Sequence, residues 1–127
     1  MERKEEFKKR TKKFAGAVIG LYCSLPKQRG EVAVIGKQML RSGTSVAANY
    51  REAFRARSAA EFISKIETCT QEADETQLWF ELLRDDCGIR SKALDRLYSE
   101  SNELISIFVA MSKNTKKNQV KKLKPEG

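Results

Sequence analysis

The sequence predicts an all-α protein, an antiparallel up-down-up-down four-helix bundle followed by a lysine-rich C-terminal tail. Apolar residues recur at alternating three- and four-residue steps, the period of one helix face, in separate stretches of the chain. Pro26 with Gly30, Ser58, and Gly88 with Ser91 punctuate the gaps between those stretches. No segment carries a strand signal, and links this short make consecutive helices antiparallel neighbours. At 127 residues the chain is one domain, long enough to bury a core.

The first helix is expected over about residues 5–24, with Phe7, Phe14, Val18, Leu21 and Leu25 on its buried face. Thr11 interrupts that stripe and weakens the first turns. Pro26 cannot continue the helix and holds Leu25 extended. The second helix, about 31–56, carries the most regular stripe: Val32, Ile35, Met39, Gly43, Val46, Tyr50 and Ala53, widened by Leu40, Ala47 and Phe54. The third, about 58–87, opens on a capping box, Ser58-Ala59-Ala60-Glu61, in which each side chain reaches the other's amide. Phe62, Ile66, Cys69, Ala73, Thr76, Phe80 and Leu83 follow in heptad rhythm. Gly88 suits the left-handed position after a helix, and Ile89 can pack back on its last turn. Ser91 caps the fourth helix, about 91–113, with Leu94, Leu97, Ser101, Leu104, Phe108 and Met111 inward. The bundle is thus expected over residues 1–113. Residues 114–127 read as a basic, disordered tail.

Charge is unevenly placed. The formal net charge is +8, with 25 Lys and Arg against 17 Asp and Glu. The excess positive charge lies at the two chain ends and the excess negative charge between Ser58 and Cys87. Such a balance suits nucleic acid or another acidic partner. The candidate contacts at one end are Lys8, Lys9, Arg10, Lys12 and Lys13. At the other they are Lys113, Lys116, Lys117, Lys121, Lys122 and Lys124. Arg41, Arg51, Arg55 and Arg57 of the second helix are the next candidates. Lysine is a flexible point charge, so phosphate rather than base edges is the expected target.

Two further features stand out. Leu78, Trp79 and Leu82 make the third helix apolar nearly all round, on a face otherwise acidic, and are candidates for an oligomer interface. Arg41, Ser45, Asn49 and Glu52 recur along the second helix as a polar stripe, suited either to solvent or to a contact with a neighbouring helix or subunit.

No catalytic, metal-binding or cofactor-binding residues are expected. The chain has no histidine, no glycine-rich phosphate loop and no nucleophile elbow. Glu72 with Glu75 and Asp85 with Asp86 lack the Glu-x-x-His element of bundle metal sites, and read as a solvated acidic face. Three widely spaced cysteines fit a reducing cytoplasm. No membrane span or secretory signal is expected.

Gln38-Met39-Leu40-Arg41-Ser42, Ser45-Val46-Ala47-Ala48-Asn49-Tyr50-Arg51-Glu52 and Ser58 with Glu61-Phe62 resemble the bacterial four-helix-bundle proteins encoded in 23S rRNA intervening sequences. Leu25-Pro26-Lys27, Gln71 to Thr76 with Trp79, and Asn102-Glu103-Leu104-Ile105 extend the likeness over about residues 7–113. Ala53 departs from it, since many members carry glycine there. The resemblance implies a small non-enzymatic bundle and a ring-shaped homo-oligomer, a pentamer. The sequence is also similar to accessory proteins of diversity-generating retroelements, which bind reverse transcriptase and RNA. The resulting expectation is a bundle that binds structured RNA or a ribonucleoprotein, such as rRNA or a reverse transcriptase complex. The alternative is a protein-binding or structural assembly subunit with no nucleic-acid partner.

Overall fold

The structure is a computed structural model that describes residues 2–123. Four α-helices follow one another: α1 (Glu2–Ser24), α2 (Gly30–Phe54), α3 (Ala59–Glu81) and α4 (Lys92–Leu123). A π-helical turn over Leu82–Asp86 carries α3 into the last connection, and there is no strand among the described residues. The end of each helix meets the start of the next: Leu25 faces Gly36, Glu52 pairs with Lys65, and Gln77 reaches Ser101, while residues nearer mid-helix meet one another. Val18 faces Gly43, and Ser42 bonds Thr76. That is the up-down-up-down bundle expected from the periodicity. The seam between α1 and α4 is the lightest of those around the bundle.

The apolar stripes become the core as spaced. Val32, Met39, Val46 and Tyr50 of α2 are fully buried, beside Val18, Ile66, Phe80, Leu94 and Phe108. Each such side chain contributes about 1.5–3 kcal/mol relative to exposure. Ile35, Leu40 and Phe54 are only partly covered and flank the core. The expected gap at Thr11 is corrected: Thr11 is buried, and its hydroxyl donates to the Lys8 carbonyl at 3.2 Å. A threonine satisfied by its own helix fills an apolar position without an orphaned polar group.

Helix ends follow local chemistry. Ser58 Oγ accepts from the Glu61 amide at 3.1 Å, but the Glu61 carboxylate takes the Arg57 amide at 3.2 Å instead of the expected Ser58 amide. Ser91 Oγ accepts from the Leu94 amide at 3.2 Å. The α-helical part of α3 stops at Glu81, and the Cys87 amide donates five residues back to Leu82. Gly88 has φ +71°, the one left-handed residue among those described, and Ile89 returns to pack on the core. The expected tail is also corrected. Helix α4 continues past Lys113 to Leu123, while residues 124–127 lie outside the described residues.

Helices α1 and α2 approach closely because α2 carries glycine where they cross. A Cβ on Gly43 would lie 2.9 Å from Val18 Cγ1, and one on Gly36 2.9 Å from Leu25 Cδ1. A Cβ on Gly16, by contrast, would meet nothing within 4 Å. Gly43→Leu should therefore lower the melting temperature, since overpacking costs about 1–3 kcal/mol. Gly16→Ala should raise it, adding about 0.5–1 kcal/mol of stability through helix propensity. Thermal unfolding followed by circular dichroism checks both signs.

Candidate nucleic-acid interface

The two basic chain ends, far apart in sequence, meet at one end of the bundle. Helix α1 starts there, α2 ends there, α3 starts there and α4 ends there, as the antiparallel order requires. Specific contacts fix the meeting. The Tyr50 hydroxyl donates to the Lys4 carbonyl at 2.9 Å, tying the first turn of α1 to α2. Burial pushes that phenol up to about 12, so it stays a neutral donor. The Lys4 ammonium sits 4.5 Å over the Phe62 ring of α3, and the Lys8 ammonium 4.9 Å over the Phe54 ring of α2. Lys116 of α4 pairs with Glu67 of α3 at 2.8 Å.

The sequence-predicted cations divide by environment. Arg10 turns to α4, where its guanidinium grips both oxygens of Glu100 at 2.7 Å and lies 3.4 Å from Glu103. The bond to Glu100 raises the Arg10 pKa further, and this fork closes the light α1–α4 seam. Lys8 and Lys116 are likewise engaged within the bundle, by Phe54 and Glu67. Lys9, Lys12 and Lys13 are exposed along α1, and Lys113, Lys117 and Lys121 form a row along the outer face of α4. Lys122 lines a cavity at the end of the bundle. Lys124 lies outside the described residues.

Sequence reasoning passed over Lys4 and ranked the second-helix arginines behind the chain ends. Arg57, with Lys4 and Lys122, lines the end cavity. Arg51 and Arg55 border a shallow groove with Lys12 over Ala47 and Ala48. The predicted topology held the missing signal, because an antiparallel bundle sets the end of α2 beside the start of α1 and the end of α4.

The polar stripe of α2 works mainly at the α2–α3 seam. Arg41 pairs with Glu75 and lies 3.6 Å from Glu72, and Glu52 pairs with Lys65 at 2.8 Å. Ser45 and Asn49, half-buried between them, bond within α2: Asn49 Nδ2 donates to the Ser45 carbonyl at 2.9 Å. The expected solvated face at Glu72 and Glu75 is thereby corrected to an ion-paired seam. Leu78 is 47% exposed, whereas Trp79 and Leu82 are half-buried. The Trp79 indole N–H is buried with no acceptor among the described residues. Cys69 lies in the core, and burial pushes its thiol up to about 12. No cluster suited to holding a metal ion occurs among the described residues. No helix there is long and apolar enough to cross a membrane.

A family model for the 23S rRNA-intervening sequence protein matches residues 3–110. The chain belongs to that family. A crystal structure at 1.70 Å of a protein of unknown function from the S23 ribosomal protein family of Bacteroides thetaiotaomicron is similar, with 35% identity and a TM-score of 0.75. The match covers 84% of this chain and 97% of that one. A comparison with curated proteins finds no match. The family match ends at residue 110, so the last thirteen residues of α4, Met111 to Leu123, and the lysines they carry lie beyond it.

The seam makes a discriminating prediction. Asn49→Ala should change stability by no more than about 0.5 kcal/mol, because its hydrogen bond is local and alanine favours helix. Arg41→Ala removes the cation from Glu72, one of whose oxygens is buried without a hydrogen bond, and should cost about 1 kcal/mol. Urea unfolding of the two variants side by side checks the ranking. An Asn49→Ala loss as large as that of Arg41→Ala would place a second contact at Asn49.

Proposed function

We propose that this protein is a non-enzymatic, cytoplasmic RNA-binding subunit, a helical homo-oligomer assembled as a pentameric ring. Its basic end grips the phosphate backbone of structured RNA or of a ribonucleoprotein. The observation that carries this reading is the gathering of cations from α1, the α2–α3 connection and α4 at one end, around a cavity with no carboxylate among its described lining residues. Membership of the 23S rRNA-intervening sequence protein family supports it.

The contact is electrostatic and tolerant of sequence. Phe7 and Phe14, the aromatics nearest the N-terminal lysines in sequence, are buried, and the Phe62 and Phe54 rings are covered by the Lys4 and Lys8 ammonium groups, so bases find little to stack on. Lysine ammonium groups meet phosphates as point charges. A ring repeats the basic end once per subunit, and weak contacts then add through effective concentration. Replacing Lys117 and Lys121 by Gln should leave helicity intact and weaken RNA binding. It should also flatten the dependence of log K on log salt by about 0.7–0.9 for each phosphate that is no longer neutralised. Unchanged affinity and slope would move the interface off α4.

A second reading, a protein-binding or structural assembly subunit, draws on the exposed Leu78 beside Trp79 and Leu82. Nucleic acid that copurifies at low salt and leaves at high salt separates the two readings. Both share the oligomer. Leu82→Lys would set an unpaired charge at a desolvated contact, so helicity should persist while the assembly dissociates. Light scattering on a sizing column checks this, and a monomeric wild type at micromolar concentration would overturn it.

A further inference from the structure

The basic end of the bundle holds an open concavity. Its volume is about 660 Å³ and its walls come from all four helices and the α2–α3 connection. Concavities of this size accommodate a small molecule such as a nucleotide. Lys4 enters from α1, Arg57 from the connection and Lys122 from α4, and the polar remainder includes Ser58, Asn118 and Gln119.

The side chains lining this cavity carry positive charge only, while the Glu61 carboxylate beside it accepts from the Arg57 amide at 3.2 Å. None of the three cations has an ion-pair partner among the described residues, in a protein where Arg10, Arg41, Lys65 and Lys116 are all paired. Like charges drawn together in a concave wall raise one another's energy and focus a positive potential into the space between them. The Phe62 ring beneath the Lys4 ammonium holds that group at the cavity edge. An anion with several acceptor oxygens relieves the repulsion. A terminal phosphate carries a charge of about −1.5 to −2 at neutral pH and three free oxygens. An internal phosphodiester carries one charge and only two free oxygens, so it relieves less of that repulsion. Arg57 suits a forked contact with two oxygens, and the Asn118 and Gln119 amides can meet sugar hydroxyls or a base edge.

We propose that this cavity binds a nucleoside phosphomonoester, either a free mononucleotide or the phosphorylated end of an RNA strand. For the strand, the site rests on the RNA-binding reading above; for the free nucleotide, it is independent of that reading.

The test uses the full chain and two kinds of probe. Fluorescence polarisation compares one short RNA sequence bearing a 5′-phosphate, a 3′-phosphate or hydroxyls at both ends. Calorimetry compares adenosine 5′-monophosphate with adenosine. A phosphorylated end, or the monophosphate, should bind about tenfold tighter than its hydroxyl counterpart, the size of one charge-assisted contact. Arg57→Gln combined with Lys122→Gln should erase that advantage with helicity unchanged, and Lys4→Gln alone should reduce it. Preference for the monophosphate with no RNA binding at all supports the site while removing the RNA reading. Equal binding of all three RNAs, with no preference for the monophosphate, overturns the site and leaves RNA binding standing. A phosphate preference that survives Arg57→Gln with Lys122→Gln also overturns it.

Discussion

Burial of the apolar face of α2 is the constraint on which the rest of the molecule depends. This helix packs against both α1 and α3, and Val32, Met39, Val46 and Tyr50 have no exposure at all. A 25-residue amphipathic helix has little stability alone, so the neighbours must cover it. The two neighbours are admitted differently. Gly36 and Gly43 let α1 approach until Leu25 and Val18 occupy the space a side chain would take. On the other side Ser42 and Thr76 bring their hydroxyls to 2.7 Å within the core, and the Cys69 thiol reaches toward the Val46 carbonyl at 3.7 Å. Apolar burial sets how much surface is hidden, while these few polar meetings fix which residue lies opposite which. Gln77, donating to Ser101 at 3.0 Å and Asn102 at 2.6 Å, performs the same office between α3 and α4.

That register has an electrostatic consequence. Helix α3 is acidic, and its carboxylates are distributed to the seams: Glu72 and Glu75 toward Arg41 of α2, and Glu67 toward Lys116 of α4. Exposed pairs of this kind add little stability, roughly 0–1 kcal/mol each. Their effect is on where charge remains. Cations that lie along α3 are matched. Those at the open end, where four helix termini crowd together and α3 contributes few acids, are left in excess. The basic end therefore combines the basic runs at the two chain ends with a bundle order that sets them side by side and beside Arg51, Arg55 and Arg57.

Much of the fold was legible because it rests on local chemistry. Pro26, Ser58, Gly88 and Ser91 each act where the sequence placed them. The miss at Thr11 arose because periodicity counts a hydroxyl as polar, whereas a helix can satisfy that hydroxyl internally. The miss beyond Lys113 has a different cause. An apolar period detects packing, and this segment has almost none, since only Thr115 and Gln119 are even half-buried past Ser112. A helix already nucleated by Leu94 to Met111 needs only propagation, and lysine and glutamine propagate well. The candidate site was legible only in part. Counting charge along the chain found both ends but treated them as separate, and so ranked Arg57 low and omitted Lys4.

Extension of α4 is what turns a basic end into a walled one. A helix stopping at Lys113 would leave Lys4, Arg57 and Phe62 on an open surface, because Thr115, Asn118, Gln119 and Lys122 form the fourth side of the cavity. The extra turns are anchored by Lys116 on Glu67 and by the Thr115 hydroxyl donating to the Met111 carbonyl at 2.8 Å. They bury little, so packing alone does not account for them. The same turns lie beyond the stretch matched by the family model, which ends at residue 110. The shared bundle thus supplies the register and the basic helix ends, and the segment beyond it supplies the fourth side of an open cavity at that end.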